Sequence, residues 1–280
     1  MPDEPKNTGV PVPEKSTWRS ALLKRLLAYP VMILAGLAIV GYLSMERLLF
    51  PSPREAAGSG NLTLRSGDFV LDAFYRPAPA GRPVILFSHG NGETLRAVRP
   101  FLNEMIGRKY GVMAYDYAGY GASEGRAGEK QSCRDIEAAY NYLVGDRKIP
   151  PEQIIIFGFS VGTGPSCHLA GKYPARMLVL AAPFASAVQV KLPFSLPGDR
   201  FPNAAILRRT TIPLLVLHGT KDSIIPFRNG KKVFSSSAAK KKLFLALPCD
   251  HNDLLDFFSS PEWRLWDRLD EFGRSISEGK

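Results

Sequence analysis

The segment Gly158-Phe-Ser-Val-Gly162 has the residue types and the spacing of a nucleophilic serine. A continuous apolar run precedes it and a helical pattern follows it, which predicts a buried strand that turns sharply into a helix. Glycines two residues before and after the serine leave room for so tight a turn. The turn would lift the Ser160 hydroxyl above the sheet, at a helix N-terminus that favours developing negative charge. We therefore predict Ser160 as the nucleophile of an acyl-transfer reaction.

A serine nucleophile needs a base, and the fold that carries this turn places its partners in the chain order serine, acid, histidine. Of the four histidines, His89 precedes the serine, and His168 lies roughly 12 Å along the helix that Ser160 opens, too far to accept its proton. His218 ends the strand before the acid loop, where contacts with local backbone groups are expected. His251 remains, in the loop after the last predicted strand, and we predict it as the general base.

The acid should follow the strand that comes before the histidine loop. There the sequence reads His-Gly-Thr-Lys-Asp222, and Asp222 can accept the Nδ1–H of His251 and fix its tautomer. Asp250 and Asp253 flank the histidine, but a sequence neighbour rarely points at the right ring nitrogen. Asp222 is therefore the predicted acid.

An oxyanion hole would complete the site. The sequence His89-Gly-Asn-Gly92 follows an apolar strand, at the position where this arrangement supplies one backbone donor. The residue after the nucleophile supplies the other. We predict that the N–H groups of Asn91 and Val161 bind the oxyanion, and that His89 holds the loop.

Three cysteines, Cys133, Cys167 and Cys249, have neither CxxC spacing nor an even count. This pattern predicts neither a structural zinc nor a disulfide framework. Cys249 lies close to His251 and is a second candidate nucleophile, but it lacks the turn chemistry of the serine. No metal and no cofactor are expected.

From residue 61 onward, short apolar runs alternate with helical patterns, which is typical of a largely parallel sheet covered by helices. The first two runs alternate polar with apolar residues, as an edge hairpin does, and the later ones are continuously apolar. We predict an α/β protein with an eight-stranded, mostly parallel sheet and helices on both faces. The predicted strands are Leu62–Arg65, Phe69–Tyr75, Val84–Ser88, Val112–Asp116, Ile154–Gly158, Met177–Ala182, Leu214–His218 and Leu243–Leu247.

The N-terminal region differs in composition from the rest of the chain. We predict a disordered basic tail over residues 1–25, a transmembrane anchor over 26–50, a linker over 51–60 and the catalytic domain over 61–280. The charge-free run Leu26–Met45 is long enough to span a bilayer as a helix. A cleaved signal peptide and a buried core helix are the alternatives.

The basic residues around this run set the predicted orientation. More of them precede it than follow it, which predicts a single-pass protein with a cytoplasmic N-terminus, the catalytic domain on the opposite side and the bilayer as a partner. The net charge of +10 would also suit nucleic acid, but the charges are scattered and no nucleic-acid motif accompanies them. No nucleic-acid partner is expected.

Five ordered motifs carry a resemblance that covers most of the chain: SHGNGE, YDYAGYGASEG, GFSVGTGPS, HGTKD and DHND. Together they resemble the membrane-associated α/β-hydrolase-domain serine hydrolases, a group that includes protein depalmitoylases and lysophospholipid lipases. The resemblance implies the α/β-hydrolase fold and cleavage of fatty acyl esters or thioesters without a cofactor. Unlike the depalmitoylases, this chain has no cysteine cluster in its N-terminal region.

The leading functional hypothesis is a serine hydrolase that cleaves a carboxylic ester or thioester, of acyl or lipid type, through an acyl-enzyme. A serine peptidase or aminopeptidase of the same fold is the alternative, and a non-catalytic membrane binding protein is a further one. The segment 183–209 is rich in proline and apolar residues, so it is either a short lid that receives an acyl chain or a loop packed on the core.

Overall fold

The computed structural model describes residues 17–196 and 198–278. The chain divides into two compact units, residues 1–45 and residues 46–280. Helix α1, Thr17–Leu49, begins in the first unit and ends in the second. Of the predicted disordered tail, residues 1–16 lie outside the described residues and residues 17–25 are helical.

The predicted transmembrane anchor over residues 26–50 is wrong. Within the described ranges, none of the helices is both long enough and apolar enough to cross a membrane. The charge-free run behind the prediction contains Tyr29, Pro30, Gly36 and Gly41, which add little of the continuous apolar surface that a span of about 20 residues needs. The single-pass location with a cytoplasmic N-terminus is therefore also wrong, and the bilayer is no longer supported as a partner.

The second unit is built on one eight-stranded sheet with the order β1-β2-β4-β3-β5-β6-β7-β8. Strand β2 pairs antiparallel with β1 and β4, and every other pair is parallel. This confirms the predicted sheet, and each predicted strand ends within one residue of the observed one. The strands are β1 Leu62–Ser66, β2 Phe69–Arg76, β3 Val84–Ser88, β4 Gly111–Tyr115, β5 Ile154–Phe159, β6 Met177–Ala181, β7 Leu214–Gly219 and β8 Lys242–Leu247.

The strands from β3 to β7 are buried along their whole length, because helices cover both faces of this sheet. Alternate side chains of β3 separate into two cores: Leu86 packs with α3 to α6 on one face, and Phe87 packs with α2 and α7 on the other. The helices are α2 Arg99–Gly107, α3 Glu129–Asn141, α4 Thr163–Ala170, α5 Asn203–Leu207, α6 Arg228–Ser236 and α7 Leu265–Glu278.

The strand order brings the predicted site residues to one edge of the sheet. Strands β3, β5, β7 and β8 are parallel, and the loops that leave their carboxyl ends carry the oxyanion loop, the serine, the acid and the histidine, respectively. The order of connection reverses at β3, and open α/β sheets bind ligands at such a point, outside the carboxyl ends of the strands.

Candidate active site

Ser160 occupies the sharp turn between β5 and α4. Its backbone has a φ of 53°, a left-handed conformation that is costly for a residue other than glycine. The neighbouring glycines are required by packing: a Cβ at Gly158 would lie 2.5 Å from the carbonyl oxygen of Gly162, and a Cβ at Gly162 would overlap the carbonyl oxygen of Ser88. A strained turn of this kind fixes the direction of the serine side chain.

The three residues predicted as nucleophile, base and acid lie in one hydrogen-bonded chain. The Oγ of Ser160 is 2.9 Å from Nε2 of His251, and Nδ1 of the same imidazole is 2.8 Å from Oδ2 of Asp222. All three residues are buried. With its proton on Nδ1, the imidazole presents the lone pair of Nε2 to the serine hydroxyl, which is the arrangement that proton transfer from serine requires.

Asp222 uses its two oxygens for different partners. Oδ1 accepts the backbone N–H groups of Ile224 at 3.0 Å and Ile225 at 2.6 Å. Oδ2 faces His251, and Nε2 of His218 lies 3.3 Å from it. Burial raises the pKa of Asp222, but hydrogen bonds from the two imidazoles and from a backbone N–H outweigh it and hold the pKa well below its ordinary range. The carboxylate is therefore ionised at neutral pH and can orient the histidine.

Two residues outside the predicted set hold the acid and histidine loops in place. His218 lies 2.9 Å, through Nε2, from the carbonyl oxygen of Ile225, in the turn that surrounds the acid. Asp250, considered from the sequence as a substitute acid, accepts hydrogen bonds from the N–H of Ser223 at 2.8 Å and from the N–H of His251 at 2.6 Å. The only sequence signal for either role was their closeness along the chain to the predicted acid and base.

The predicted oxyanion donors, Asn91 and Val161, line the same cavity as Ser160. Asn91 is in the loop after β3, and Val161 follows Ser160 in the turn into α4. His89 is buried, with Nδ1 at 2.9 Å from the carbonyl oxygen of Gly90, and its ring packs 4.5 Å from that of Tyr117. The Tyr117 hydroxyl donates to the His89 carbonyl at 2.7 Å. His89 thus has the contacts of a residue that shapes the loop, not of a second base.

A cavity of about 270 Å³ opens above Ser160. Glu93 and Asn252 contribute polar groups to it, and the N–H of Gly90 already donates to the Glu93 carboxylate at 2.6 Å. Most of the remaining wall is apolar, as the site of an acyl group should be. The apolar side chains are Leu49, Phe159, Phe184, Val190, Ile224 and Ile225.

The segment 183–209 packs partly on the core and partly beside the cavity. Phe184 and Phe201 are buried and pack 6.0 Å apart, ring centre to ring centre, which is the contact of a loop on the core. Leu192, Phe194 and Leu196 are exposed. Phe184 also lines the cavity, so this segment contributes to the wall above the serine.

The other candidate nucleophiles and bases are placed unfavourably. Burial and nearby carboxylates raise the pKa of Cys249 to about 11, so its thiol stays protonated and unreactive at neutral pH. His168 is 2.7 Å from a carboxylate oxygen of Glu137 on α3. Across residues 17–196 and 198–278, no cluster of three or more His, Cys, Asp or Glu side chains could hold a metal ion.

Comparison with known proteins identifies the family of this chain. The family described as serine aminopeptidase, S33, matches residues 79–204. The human α/β hydrolase domain-containing protein 17B is 35% identical over 192 residues, which cover 67% of this chain and 67% of that protein. The chain belongs to the α/β-hydrolase domain family. It is a hydrolase of the α/β-hydrolase fold.

Solved structures with low sequence identity share the fold of this α/β-hydrolase. An esterase from Pyrococcus furiosus superimposes with a TM-score of 0.65 at 16% identity, covering 80% of this chain and 98% of that one. The mouse α/β hydrolase domain-containing protein 10 gives a TM-score of 0.57 at 19% identity, covering 75% of this chain and 100% of that one. These likenesses concern the fold alone.

Proposed function

We propose that this α/β-hydrolase cleaves carboxylic esters or thioesters through an acyl-enzyme on Ser160. The observation that carries the proposal is the chain of hydrogen bonds from Ser160 through His251 to an ionised Asp222, which opens into a mainly apolar cavity. A buried, oriented imidazole beside a serine hydroxyl is the arrangement that activates a serine for acyl transfer.

In the proposed reaction, Ser160 Oγ attacks the acyl carbonyl carbon while His251 Nε2 takes the serine proton. The oxyanion of the tetrahedral intermediate accepts hydrogen bonds from the N–H groups of Asn91 and Val161. The intermediate collapses, and the leaving alcohol or thiol takes the proton from the imidazole. Water then attacks the acyl-enzyme with the same imidazole as base, which releases the carboxylic acid and restores the serine.

An aminopeptidase activity is the second candidate, because the matching family is described as serine aminopeptidase, S33. A peptide amine would need a carboxylate in the cavity, and Glu93 is the one acidic side chain on the described wall. The Glu93 carboxylate already accepts a hydrogen bond from the Gly90 N–H, so it is less available to bind an amine. The apolar wall therefore favours an acyl ester or thioester over a peptide.

Steady-state rates on matched substrates separate the two candidates. We expect p-nitrophenyl acyl esters and acyl thioesters to be hydrolysed by the full chain, aminoacyl p-nitroanilides to be hydrolysed far more slowly, and Ser160→Ala to abolish both activities. Faster hydrolysis of the anilides than of the esters would overturn the ester proposal in favour of the peptidase.

A further inference from the structure

Residues 48–55, the strap, comprise the last two residues of α1 and the segment that follows it, and they contact the loop after β3 at two points. The side-chain amide of Asn91 donates to the carbonyl oxygen of Leu48 at 3.1 Å. The Glu55 carboxylate accepts the hydroxyl of Thr94 at 2.5 Å and the guanidinium of Arg96 at 2.9 Å. A segment expected from its composition to be a linker is therefore bonded to the loop beside the serine.

The same strap is bonded to a second loop, residues 116–125. Gly121 donates its N–H to the Pro53 carbonyl at 2.7 Å and accepts the N–H of Glu55 at 3.0 Å. The guanidinium of Arg54 donates to the Ser123 carbonyl at 2.5 Å. The two Gly121 bonds join backbone to backbone over a long sequence separation, so they fix the position of the strap against this loop.

Aromatic packing fixes the strap next to the cavity. Phe50 is 5% exposed, and its ring lies 6.0 Å from that of Tyr117, 6.4 Å from that of Tyr120 and 6.1 Å from that of Phe201. Leu49 immediately precedes this anchor and lines the cavity that contains Ser160. The packing of Phe50 and the hydrogen bond between Asn91 and Leu48 hold the chain on both sides of Leu49. Leu49 therefore cannot leave the cavity unless these contacts break.

The wall of the cavity beside Ser160 is mainly apolar, and Leu49 is one of its apolar side chains. An acyl chain carried on the serine would therefore bury methylene groups against this wall. A change in the size of the side chain at position 49 changes how many methylene groups can be buried there.

We propose that Leu49 is a specificity-determining residue that contacts the acyl chain of the substrate and influences which chain lengths are preferred. This inference rests on the proposed ester or thioester hydrolysis. Replacing Leu49 with alanine enlarges the cavity at the strap, so longer acyl chains gain burial. Replacing it with phenylalanine reduces the cavity, so medium chains lose burial while an acetyl group still fits.

The test compares kcat/KM of the full chain for p-nitrophenyl acetate, octanoate and palmitate. Each methylene that gains burial adds about fourfold, so one to two methylenes predict that Leu49→Ala raises the palmitate-to-octanoate ratio by roughly 4- to 15-fold. Leu49→Phe is expected to lower the octanoate-to-acetate ratio by a similar factor. Leu26→Ala is the matched control, because it makes the same change on α1 at an exposed residue.

Three results decide the inference. The expected shifts in both Leu49 variants, with an unchanged chain-length profile in Leu26→Ala, support it. Identical chain-length profiles in all four proteins would overturn it while leaving ester hydrolysis intact. Failure of the proposed function itself would look different, because wild-type protein would then cleave none of the three esters.

Discussion

Asp222→Asn is expected to lower kcat for ester hydrolysis by about 10⁴ without unfolding the protein. In the structure, Oδ1 of Asp222 accepts the backbone N–H groups of Ile224 and Ile225. An asparagine must keep its carbonyl oxygen at this position, because an NH₂ group facing two N–H donors would leave all of them without acceptors. Its NH₂ group then replaces the carboxylate oxygen opposite His251.

This replacement reverses the tautomer of the base. An NH₂ donor 2.8 Å from Nδ1 of His251 requires a bare Nδ1, so the imidazole carries its proton on Nε2. Nε2 lies 2.9 Å from Ser160 Oγ and, once protonated, cannot accept the serine proton. A loss of about 10⁴ corresponds to about 5.5 kcal/mol of transition-state stabilisation.

The assay is the steady-state hydrolysis of p-nitrophenyl octanoate by wild type, Asp222→Asn and Asp253→Asn, with circular dichroism to establish that each variant is folded. Asp253 is an exposed carboxylate two residues from the same histidine, so its removal controls for the loss of a nearby charge. We expect Asp253→Asn to remain within a few-fold of wild type. A folded Asp222→Asn that keeps a tenth or more of the wild-type kcat would refute the assignment of the acid.

Three further substitutions have defined outcomes. Gly162→Ala places a Cβ against the Ser88 carbonyl and should lower kcat/KM about 100-fold by displacing the serine; Gly145→Ala, where a Cβ meets no atom within 4 Å, should leave kcat/KM unchanged. His218→Phe removes a hydrogen bond to the charged Asp222 carboxylate. The free energy of unfolding at pH 7, measured with urea, should therefore fall by about 1.5–3 kcal/mol. The same substitution should lower the free energy of unfolding by less when Asp222 has already been replaced by asparagine. Burial raises the pKa of Asp135 from 3.8 to about 6, so its stabilising contribution is complete well below pH 4 and is lost as the pH rises through 6; the wild-type free energy of unfolding should drop by about 2 kcal/mol more than that of Asp135→Asn between pH 4 and pH 7.

The sheet could be predicted from the sequence because its signal is local. Buried parallel strands are short apolar runs bounded by turn residues, and each such run from Val84 onward became a strand within one residue of its predicted ends. The positions of the site residues follow from the same pattern. Once the strands are parallel, the loops after their carboxyl ends must meet at one edge.

The contacts that the sequence did not reveal join residues far apart in the chain. The linker predicted over 51–60 carried a polar, turn-rich composition, yet Glu55 bonds to Thr94 and its backbone pairs with Gly121. The local composition of the segment predicts neither of these contacts. His218 was assigned to local backbone contacts and makes one, but its approach to Asp222 depends on how a four-residue turn closes.

The N-terminal prediction failed for a different reason. The absence of charge from Leu26 to Met45 favours a membrane span, but proline, glycine and tyrosine interrupt this apolar run. No helix in the described part of the chain meets the requirement for a span. The end of α1 instead supplies Leu49 to the wall of the cavity.

Covalent labelling of Ser160 tests the central claim most directly. Folded full-length protein is treated with a fluorophosphonate, digested and mapped by mass spectrometry, with Ser160→Ala and heat-unfolded wild type as controls. The account predicts stoichiometric phosphonylation of the Ser160 hydroxyl in the folded wild type, loss of ester hydrolysis in parallel, and no labelling of either control. An unlabelled Ser160 in folded, ester-cleaving protein, or a label on another residue, would contradict it.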